Sequence, residues 1–299
     1  MELSRKDFLK LSIPATGSLI LGGGMLMNPK LVQAASASSS KMDELALLYD
    51  SSKCTGCRAC EAACRRANEL PPEHKPSDLS ATSWTCIKSV ELDNDGEKEQ
   101  VFLKRQCMHC TDAACVRACP NGTLYHNEYG FVAYNRETCT GCGYCTDACP
   151  FNVPRLDGNS FMGVNKMSKC TMCTTPGLDR ISDGLEPSCV NTCPYGALQY
   201  GDRSELITAA NQRVQVLKAD GKSGANLYGE NELNGLHTMY ILQDTPEIYG
   251  LPDNAKISFA TTAWKNVLQP VGWVFGGIIV VALGINYIVA RANSNKEAK

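Results

Sequence analysis

The sequence predicts an α+β fold in which small, cysteine-stapled units are followed by a single C-terminal membrane helix. Three observations lead to this expectation: cysteines in four repeating groups, short strand-like segments between them, and a long apolar run near the C-terminus. Aromatic residues make up just 7% of the 299 residues, which leaves little material for a large hydrophobic core. We therefore expect bound metal to supply much of the folding free energy.

The cysteines carry the strongest signal in the sequence. Sixteen of the seventeen fall into four groups, here called motifs 1 to 4. Motif 1 is Cys54, Cys57, Cys60 and Cys64; motif 2 is Cys107, Cys110, Cys115 and Cys119; motif 3 is Cys139, Cys142, Cys145 and Cys149; motif 4 is Cys170, Cys173, Cys189 and Cys193. Motifs 1 and 3 have the spacing C-x2-C-x2-C-x3-C, which is typical of the ligands of [4Fe–4S] clusters in two-cluster ferredoxins. Motifs 2 and 4 keep the closing C-x3-C and lengthen one inner gap. The sequence therefore predicts four [4Fe–4S] clusters.

Structural zinc and disulfide bonds are the competing interpretations of these cysteines. Paired C-x2-C motifs also bind zinc, and an exported protein could oxidise its thiols. A zinc site needs four ligands in two pairs, whereas here the closing cysteine follows each group at a fixed distance. Proline also follows Cys119, Cys149 and Cys193, as in ferredoxin motifs, although Arg65 follows Cys64. The pattern favours iron–sulfur clusters.

The motifs must pair, because the fourth cysteine of a ferredoxin motif binds the cluster of the other motif. Two pairings are open: neighbours in order, or motifs 2 and 3 enclosed by motifs 1 and 4. The short connection between motifs 2 and 3 favours the enclosed pairing, since Leu124–His126 and 131–134 read as a strand hairpin. We expect an inner two-cluster ferredoxin-like unit at 107–154 and an outer one at 48–106 plus 155–200.

The segments around these units give weaker signals. Residues 65–106 form a long insertion between motifs 1 and 2, of the kind that covers a site or contacts a partner. A strand is expected at 197–200, after motif 4. Asp202 and Glu205 resemble a capping box at the start of a helix. Residues 236–242 alternate like a strand, and 201–265 are expected to form a C-terminal extension.

Both ends of the chain point to a membrane. Residues 1–37 have the layout of a twin-arginine-like export signal, with Lys6 in place of the second arginine, and 38–47 read as a linker. Residues 271–290 form an apolar run long enough to cross a bilayer core about 30 Å thick as a helix, in contact with lipid. The positive residues after it favour a cytoplasmic C-terminus. We therefore expect the protein in the cytoplasmic membrane, with its clusters on the outer, periplasmic side.

Several side chains near the motifs have two interpretations. Cys86 has no partner cysteine and is expected to be a small buried apolar residue. His109, between two cysteines of motif 2, is either a simple loop residue or a group that tunes a cluster. Four basic residues either offset the negative charge of thiolate-bound clusters or aid solubility. They are Lys104, Arg105, Lys166 and Lys169.

The chemistry of the chain points to electron transfer rather than catalysis. The net charge is −2 and the basic residues are spread along the chain, so nucleic acid is not an expected partner. The sequence contains no nucleophile–base pair, phosphate loop or dinucleotide fingerprint, and every motif cysteine is committed to a cluster. A free-standing ferredoxin-like carrier and a metal-stapled scaffold are the alternatives. The membrane run argues against the first, and four clusters argue against the second.

Several segments between the motifs make the chain resemble a known family. They are PSDLSATSWT at 76–85, CGYC at 142–145, CPFNVPRL at 149–156, LHTMYIL at 236–242, PEIYGLP at 246–252, and Trp264-Lys265 before the apolar run. In these the chain resembles the iron–sulfur (beta) subunits of respiratory formate dehydrogenase-N type, within the membrane-bound molybdopterin oxidoreductases. The resemblance runs from about residue 48 to 287.

The resemblance implies an electron path with a defined order of ligand sets. The first set is Cys54, Cys57, Cys60 with Cys193; the second is Cys64 with Cys170, Cys173, Cys189; the third is Cys107, Cys110, Cys115 with Cys149; the fourth is Cys119 with Cys139, Cys142, Cys145. In this family the first cluster faces a molybdopterin catalytic subunit and the last faces a membrane cytochrome b. The ferredoxin subunit of hydrogenase-2 is also similar and carries its own export signal, so the substrate of the partner, formate or hydrogen, stays open.

Overall fold

The computed structural model describes residues 45–73, 75–94, 97–158, 165–175, 177–263 and 267–297. The predicted export signal and most of the linker lie outside these residues, as do Trp264 and Lys265. Within the described residues the chain mixes short helices and strands and ends in one long apolar helix. The predicted α+β class with a C-terminal helix is confirmed to this extent.

The strands and helices are mostly short and follow the motifs. The strands are β1 Leu45–Asp50, β2 Cys86–Asn94, β3 Glu97–Arg105, β4 Leu124–His126, β5 Val132–Tyr134, β6 Arg155–Leu156, β7 Met167–Ser168, β8 Thr174–Thr175, β9 Leu178–Asp179, β10 Leu198–Asp202, β11 Asn226–Tyr228 and β12 Thr238–Leu242. The helices are α1 Ala59–Ala67, α2 Ala114–Ala118, α3 Tyr144–Ala148, α4 Ser188–Asn191, α5 Arg203–Ala219, α6 Phe259–Ala263 and α7 Gln269–Glu297, with a 3-10 turn at Glu232–Asn234. Each of the helices α1 to α4 begins inside one cysteine motif.

A four-stranded sheet in the order β10-β1-β12-β11 separates two cores. β1 pairs antiparallel with β10 and parallel with β12. Because side chains alternate along a strand, Leu47 and Tyr49 of β1 enter the core that contains the cysteines, whereas Ala46 and Leu48 enter a second, purely apolar core. The sheet thus joins strands of the predicted outer unit to strands of the predicted extension.

Helix α5 covers the outer face of this sheet. Its start was predicted from Asp202, whose carboxylate accepts hydrogen bonds from the backbone N–H groups of Ser204 at 2.8 Å and Glu205 at 3.0 Å. These bonds satisfy two amides that have no partner within the helix. The buried side of the helix, which includes Leu206 and Val214, closes the second core. The helix therefore packs on the sheet rather than on the cysteines.

Two hairpins frame the cysteine region. β4 and β5 pair antiparallel as predicted between motifs 2 and 3. The insertion at 65–106 ends in a longer hairpin of β2 and β3, with Cys86 opposite Arg105. The Phe102 ring of β3 lies over the loop of motif 1, so close that a Cβ added to Gly56 would be 2.4 Å from it. The insertion therefore covers motif 1.

The C-terminal helix is long and apolar enough to cross a membrane. Its apolar part, Gln269–Arg291, has 23 residues and a mean hydropathy of 2.1. At about 1.5 Å per residue this exceeds a bilayer core of about 30 Å. None of the most apolar part of this segment is buried against the rest of the protein.

Candidate iron–sulfur centres

The sixteen motif cysteines lie in four separate groups. Three groups each surround a cavity with an empty volume of about 340 Å³. The cavities are lined by Cys54, Cys57, Cys60 and Cys193; by Cys64, Cys170, Cys173 and Cys189; and by Cys119, Cys139, Cys142 and Cys145. In the remaining group, burial and then the charges of Cys107, Cys115 and Cys149 raise the pKa of Cys110. The groups coincide with the four sets that the resemblance implies, and we number them accordingly; iron ligation itself stays a prediction.

Short helices bring the fourth cysteine of each motif to another motif. α1, which contains Cys64, packs against α4, which contains Cys189, and α2 packs against α3. In each motif the fourth cysteine lies in the last turn of the helix or just after it, so the helix directs this cysteine away from the loop of its own motif. The crosswise grouping is thus a result of the helix that follows each loop, as the C-x3-C spacing requires.

Left-handed backbone occurs in the loop of every motif. The residues are Gly56 and Arg58 in motif 1, His109 in motif 2, Gly141 and Gly143 in motif 3, and Met172 and Cys173 in motif 4. Single residues with positive φ reverse the direction of successive amides and let several N–H groups face one point. Such loops can wrap around an anionic cluster.

Amide groups inside and outside these loops point at cysteine sulfur. The N–H of Met167 donates to Cys139 Sγ and that of Met172 donates to Cys170 Sγ, both at 3.4 Å. Asn68 Nδ2 lies 3.7 Å from Cys64 Sγ. Hydrogen bonds to cysteine sulfur are among the factors that set the potential of an iron–sulfur cluster.

Burial disfavours the thiolate form of several motif cysteines. Burial raises the pKa of Cys60 to about 12 and that of Cys170 to about 12, although Lys104 lowers both. Such thiols would stay protonated at neutral pH, whereas ligation to iron stabilises the thiolate. Among the described residues, no group of three or more Cys, His, Asp or Glu is gathered tightly enough to hold a single metal ion. Four cysteines around one cavity are the donor set that a four-iron cluster takes.

Electrostatic interactions between thiols link each set to the next one in number. In each of three pairs, burial is the main cause that raises the pKa of one thiol, and the charge of a thiol in the next set raises it further. The pairs are Cys60 with Cys189, Cys170 with Cys107, and Cys115 with Cys145. They join the first set to the second, the second to the third, and the third to the fourth.

Only the two ends of this series have an exposed cysteine. Cys57 of the first set and Cys142 of the fourth are exposed, whereas the other fourteen motif cysteines are buried or half-buried. Tyr195, beside the first cavity, and Tyr144, which follows Cys142 and Gly143, are also exposed. Access from outside is therefore greatest at the two ends.

Two lysines lie inside the protein between the sets. Lys104 is 0% exposed and Lys169 is 2% exposed, so the alternative that they merely aid solubility is wrong for both. Burial lowers the pKa of Lys104, but the charges of Cys189, Cys60 and Cys170 raise it above its usual value. For Lys169 the charges of Cys107, Cys115 and Cys170 act in the same way against burial.

Cys86 and His109 are both fully buried. Cys86, predicted to be a buried apolar residue, is 0% exposed in β2. His109 is not an exposed loop residue: its ring meets the Phe131 ring edge-on, with centroids 5.7 Å apart, and its ring nitrogens have no hydrogen-bond partner within the described part of the chain. Its position inside motif 2 was the only sequence signal for this burial.

Comparisons with known proteins agree with this chemistry. The family description "4Fe-4S dicluster domain" matches residues 98–203, and "4Fe-4S binding domain" matches residues 51–67. The nitrate-inducible formate dehydrogenase iron–sulfur subunit of Escherichia coli K12 is 41% identical over 85% of this chain and 87% of the relative. The formate dehydrogenase-O iron–sulfur subunit of the same organism is 37% identical over 85% of this chain and 86% of the relative.

A further relative covers nearly the whole chain. The hydrogenase-2 operon protein HybA of Escherichia coli O157:H7 is 31% identical over 98% of this chain and 97% of the relative. The matched domains and the grouped cysteines make the chain an electron-transfer subunit that holds 4Fe-4S clusters. It belongs to the family of formate dehydrogenase iron–sulfur subunits.

Proposed function

We propose that each of the four cysteine sets holds one [4Fe–4S] cluster, four in all. The observation that carries this proposal is the crosswise lining of the cavities, in which Cys193 joins motif 1, Cys64 joins motif 4 and Cys119 joins motif 3. A bound cluster would supply one-electron redox chemistry. The same grouping supports two ferredoxin-like units, one built from motifs 1 and 4 and the other from motifs 2 and 3.

Electrons enter and leave this series at its ends. A position of the fourth set near the membrane is supported by α3, which carries Cys145 and shares an apolar cavity with the segment that leads into α7. The cavity is lined by Tyr144, Asp147, Ser258, Thr261 and Leu268, among others. The first set lies at the other end of the series and has an exposed cysteine of its own. A catalytic subunit at the first set and a cytochrome b at the fourth set fit these two surfaces.

The chain itself does no chemistry on a substrate. Its relatives are named as subunits of formate dehydrogenase, so we assign it to a complex whose molybdopterin subunit oxidises formate. The apolar helix anchors the chain in the cytoplasmic membrane. Arg291 and the lysines that follow favour a cytoplasmic C-terminus, which leaves the clusters on the periplasmic side.

A hydrogenase complex is the second candidate. The match to the hydrogenase-2 operon protein spans 98% of this chain, whereas the matches to the formate dehydrogenase subunits span 85%. The additional coverage includes segments that the formate dehydrogenase subunits do not match. In this case a nickel–iron subunit replaces the molybdopterin subunit, and the electron path stays the same.

Purification in mild detergent tests the function directly. The complex is assayed for dye reduction with formate and with hydrogen, its iron and sulfide are measured, and the co-purifying chains are identified. We expect formate activity, a molybdopterin subunit, a cytochrome b, and at least sixteen iron–sulfur iron atoms per chain, four for each cluster, after the haem iron of the cytochrome b is subtracted. Hydrogen activity with a nickel–iron subunit would assign the chain to the second candidate. About eight irons or fewer would contradict four clusters.

A further inference from the structure

Lys104 occupies the boundary between the first and second cysteine sets. It lines the cavity formed by the first set and also the cavity formed by the second set. Its side chain is 0% exposed. A single ammonium group therefore lies between two neighbouring sites for which we propose clusters.

The position of Lys104 is fixed by the sheet. Tyr240 of β12 donates a hydrogen bond from its hydroxyl to the backbone carbonyl of Lys104 at 2.8 Å. The Lys104 ammonium donates to Gln106 Oε1, and Gln106 Nε2 donates to Thr238 Oγ1 at 3.3 Å. Both ends of the residue are thus held by β12, which leaves the charge little freedom to move towards solvent.

Lys169 occupies the next boundary, between the second and third sets. Its ammonium donates to the carbonyl of Cys170, a member of the second set, at 2.9 Å, and to the carbonyl of Val132. It also lies 5.7 Å from the centroid of the Tyr134 ring. Lys169 is 2% exposed, and the charges of Cys107 and Cys115 of the third set also act on its ammonium group and raise its pKa against the effect of burial.

Neither buried ammonium has a carboxylate partner in the described part of the chain. The ion pairs found there involve other lysines and arginines, and the acceptors of Lys104 and Lys169 are neutral oxygens. An unpaired charge in the interior is costly, so a buried cation needs an anion close by. A cubane ligated by four thiolates carries net negative charge, and one lies on each side of each lysine if the proposed function holds.

We propose that Lys104 and Lys169 are positioning residues of the electron path, two fixed cations that raise the reduction potentials of the clusters on either side of them. Reduction adds one negative charge to a cluster, and a nearby positive charge stabilises the reduced form more than the oxidised form. Lys104 acts on the first and second clusters, and Lys169 on the second and third. The fourth cluster, which neither lysine borders, is unaffected. This proposal rests on the proposed four-cluster function.

Neutral variants of nearly the same shape test this proposal. In the purified complex, Lys104→Met and Lys169→Met are titrated against ambient potential and followed by EPR. At the wild-type midpoint, the ratio of reduced to oxidised cluster should fall about tenfold, which for one electron equals about 59 mV. Each variant should shift two of the four transitions. The transition of the second cluster should shift in both variants, and that of the fourth cluster in neither.

Lys98→Met is the matched control. Lys98 lies in β3 like Lys104, but its side chain is 72% exposed and pairs with Glu91. Its removal changes the net charge of the chain by the same amount and should leave all four transitions in place. Equal shifts in Lys98→Met, or no shift in the two buried variants, would overturn the proposal.

Iron content separates an electrostatic role from a packing role. If Lys104→Met loses iron, the Lys104→Arg variant decides, because it keeps the charge but changes the shape. Wild-type iron in Lys104→Arg supports the electrostatic role, and equal loss of iron in both variants overturns it. Failure of the proposed function is visible separately, since the wild-type complex would then show fewer than four one-electron transitions with the EPR signals of reduced iron–sulfur clusters.

Discussion

The middle and the terminal cysteine sets differ in their surroundings, although their ligand pattern is the same. In the second and third sets every cysteine is buried or half-buried. In the first and fourth sets one cysteine is exposed, Cys57 and Cys142 respectively. The two middle sets are therefore accessible only to neighbouring sets, whereas a partner protein can contact the two terminal sets.

The proposed path gives a reason for four clusters rather than one. A single exposed cluster could exchange electrons with a partner, but it could not connect two partners on different surfaces. The buried middle sets fill the distance between the two ends, and their burial limits contact with solvent. The following predictions test this division, from the largest expected effect to the smallest.

Removal of a ligand from a middle set should have the largest effect on iron content, electron transfer and stability. Cys115→Ala takes one ligand from the third set, so we expect about four irons fewer per chain, background electron transfer to the membrane acceptor and a lower melting temperature. Iron analysis and thermal unfolding measure these effects. Cys86→Ala is the matched control, since Cys86 is also buried but belongs to no set; it should keep all its iron. Unchanged iron in Cys115→Ala would contradict the ligand assignment.

Removal of a ligand from a terminal set should cost less stability. Cys57→Ala should also lower the iron content by about four per chain. Because Cys57 itself is exposed whereas Cys115 is buried, we expect a smaller fall in melting temperature than for Cys115→Ala. Dithionite should still reduce three clusters, as counted by EPR. The distinction between middle and ends would fail if both variants lost all their clusters.

A glycine in the fourth set should tolerate no side chain. Gly141 has φ +70°, and a Cβ added there would lie 1.8 Å from the backbone oxygen of Asn165. Gly122 has a similar φ of +63° but nothing within 4 Å of such a Cβ. Gly122→Ala should therefore cost about 1 kcal/mol from the left-handed backbone alone. Gly141→Ala should lower the free energy of unfolding by more than this, as measured by denaturant unfolding, and should lose iron from the fourth set. Equal losses of stability in the two variants would show that the contact with Asn165 has no effect.

The smallest effect concerns the spare thiol. Burial raises the pKa of Cys86 to about 11, so at pH 8 almost none of it is the reactive thiolate. Alkylation of the iron-loaded protein should be slow and should speed up about tenfold per pH unit between pH 7.5 and 9, because the thiolate fraction grows in that proportion below the pKa. Mass spectrometry identifies the labelled residue. If a cysteine of the four sets were labelled before Cys86, that cysteine would not be bound to iron.

The sequence predicted the features that depend on local spacing. The cysteine spacing defined the four motifs, and the hairpin of β4 and β5 and the cap at Asp202 were found where expected. The ligand sets came from the family resemblance, and iron ligation stays a prediction. These signals lie within a few residues of one another, so they need no knowledge of the tertiary structure.

Features that depend on distant pairing were not predicted. β1 was missed because it is defined by its partners β10 and β12, which lie far along the chain. The burial of Lys104 was also missed. In β3 the neighbouring Leu103 faces the core, and simple alternation would place Lys104 in solvent, but the cysteine sets cover that side of the strand as well.

The central claim is that electrons pass through the chain from one end to the other. In the intact complex, Cys145→Ser removes a ligand of the fourth set, next to the membrane helix, and both quinone-linked and dye-linked oxidation of the substrate are then measured. Quinone-linked turnover should fall to background while dye-linked turnover of the catalytic partner is kept. Quinone-linked turnover at the wild-type rate would contradict the proposed path.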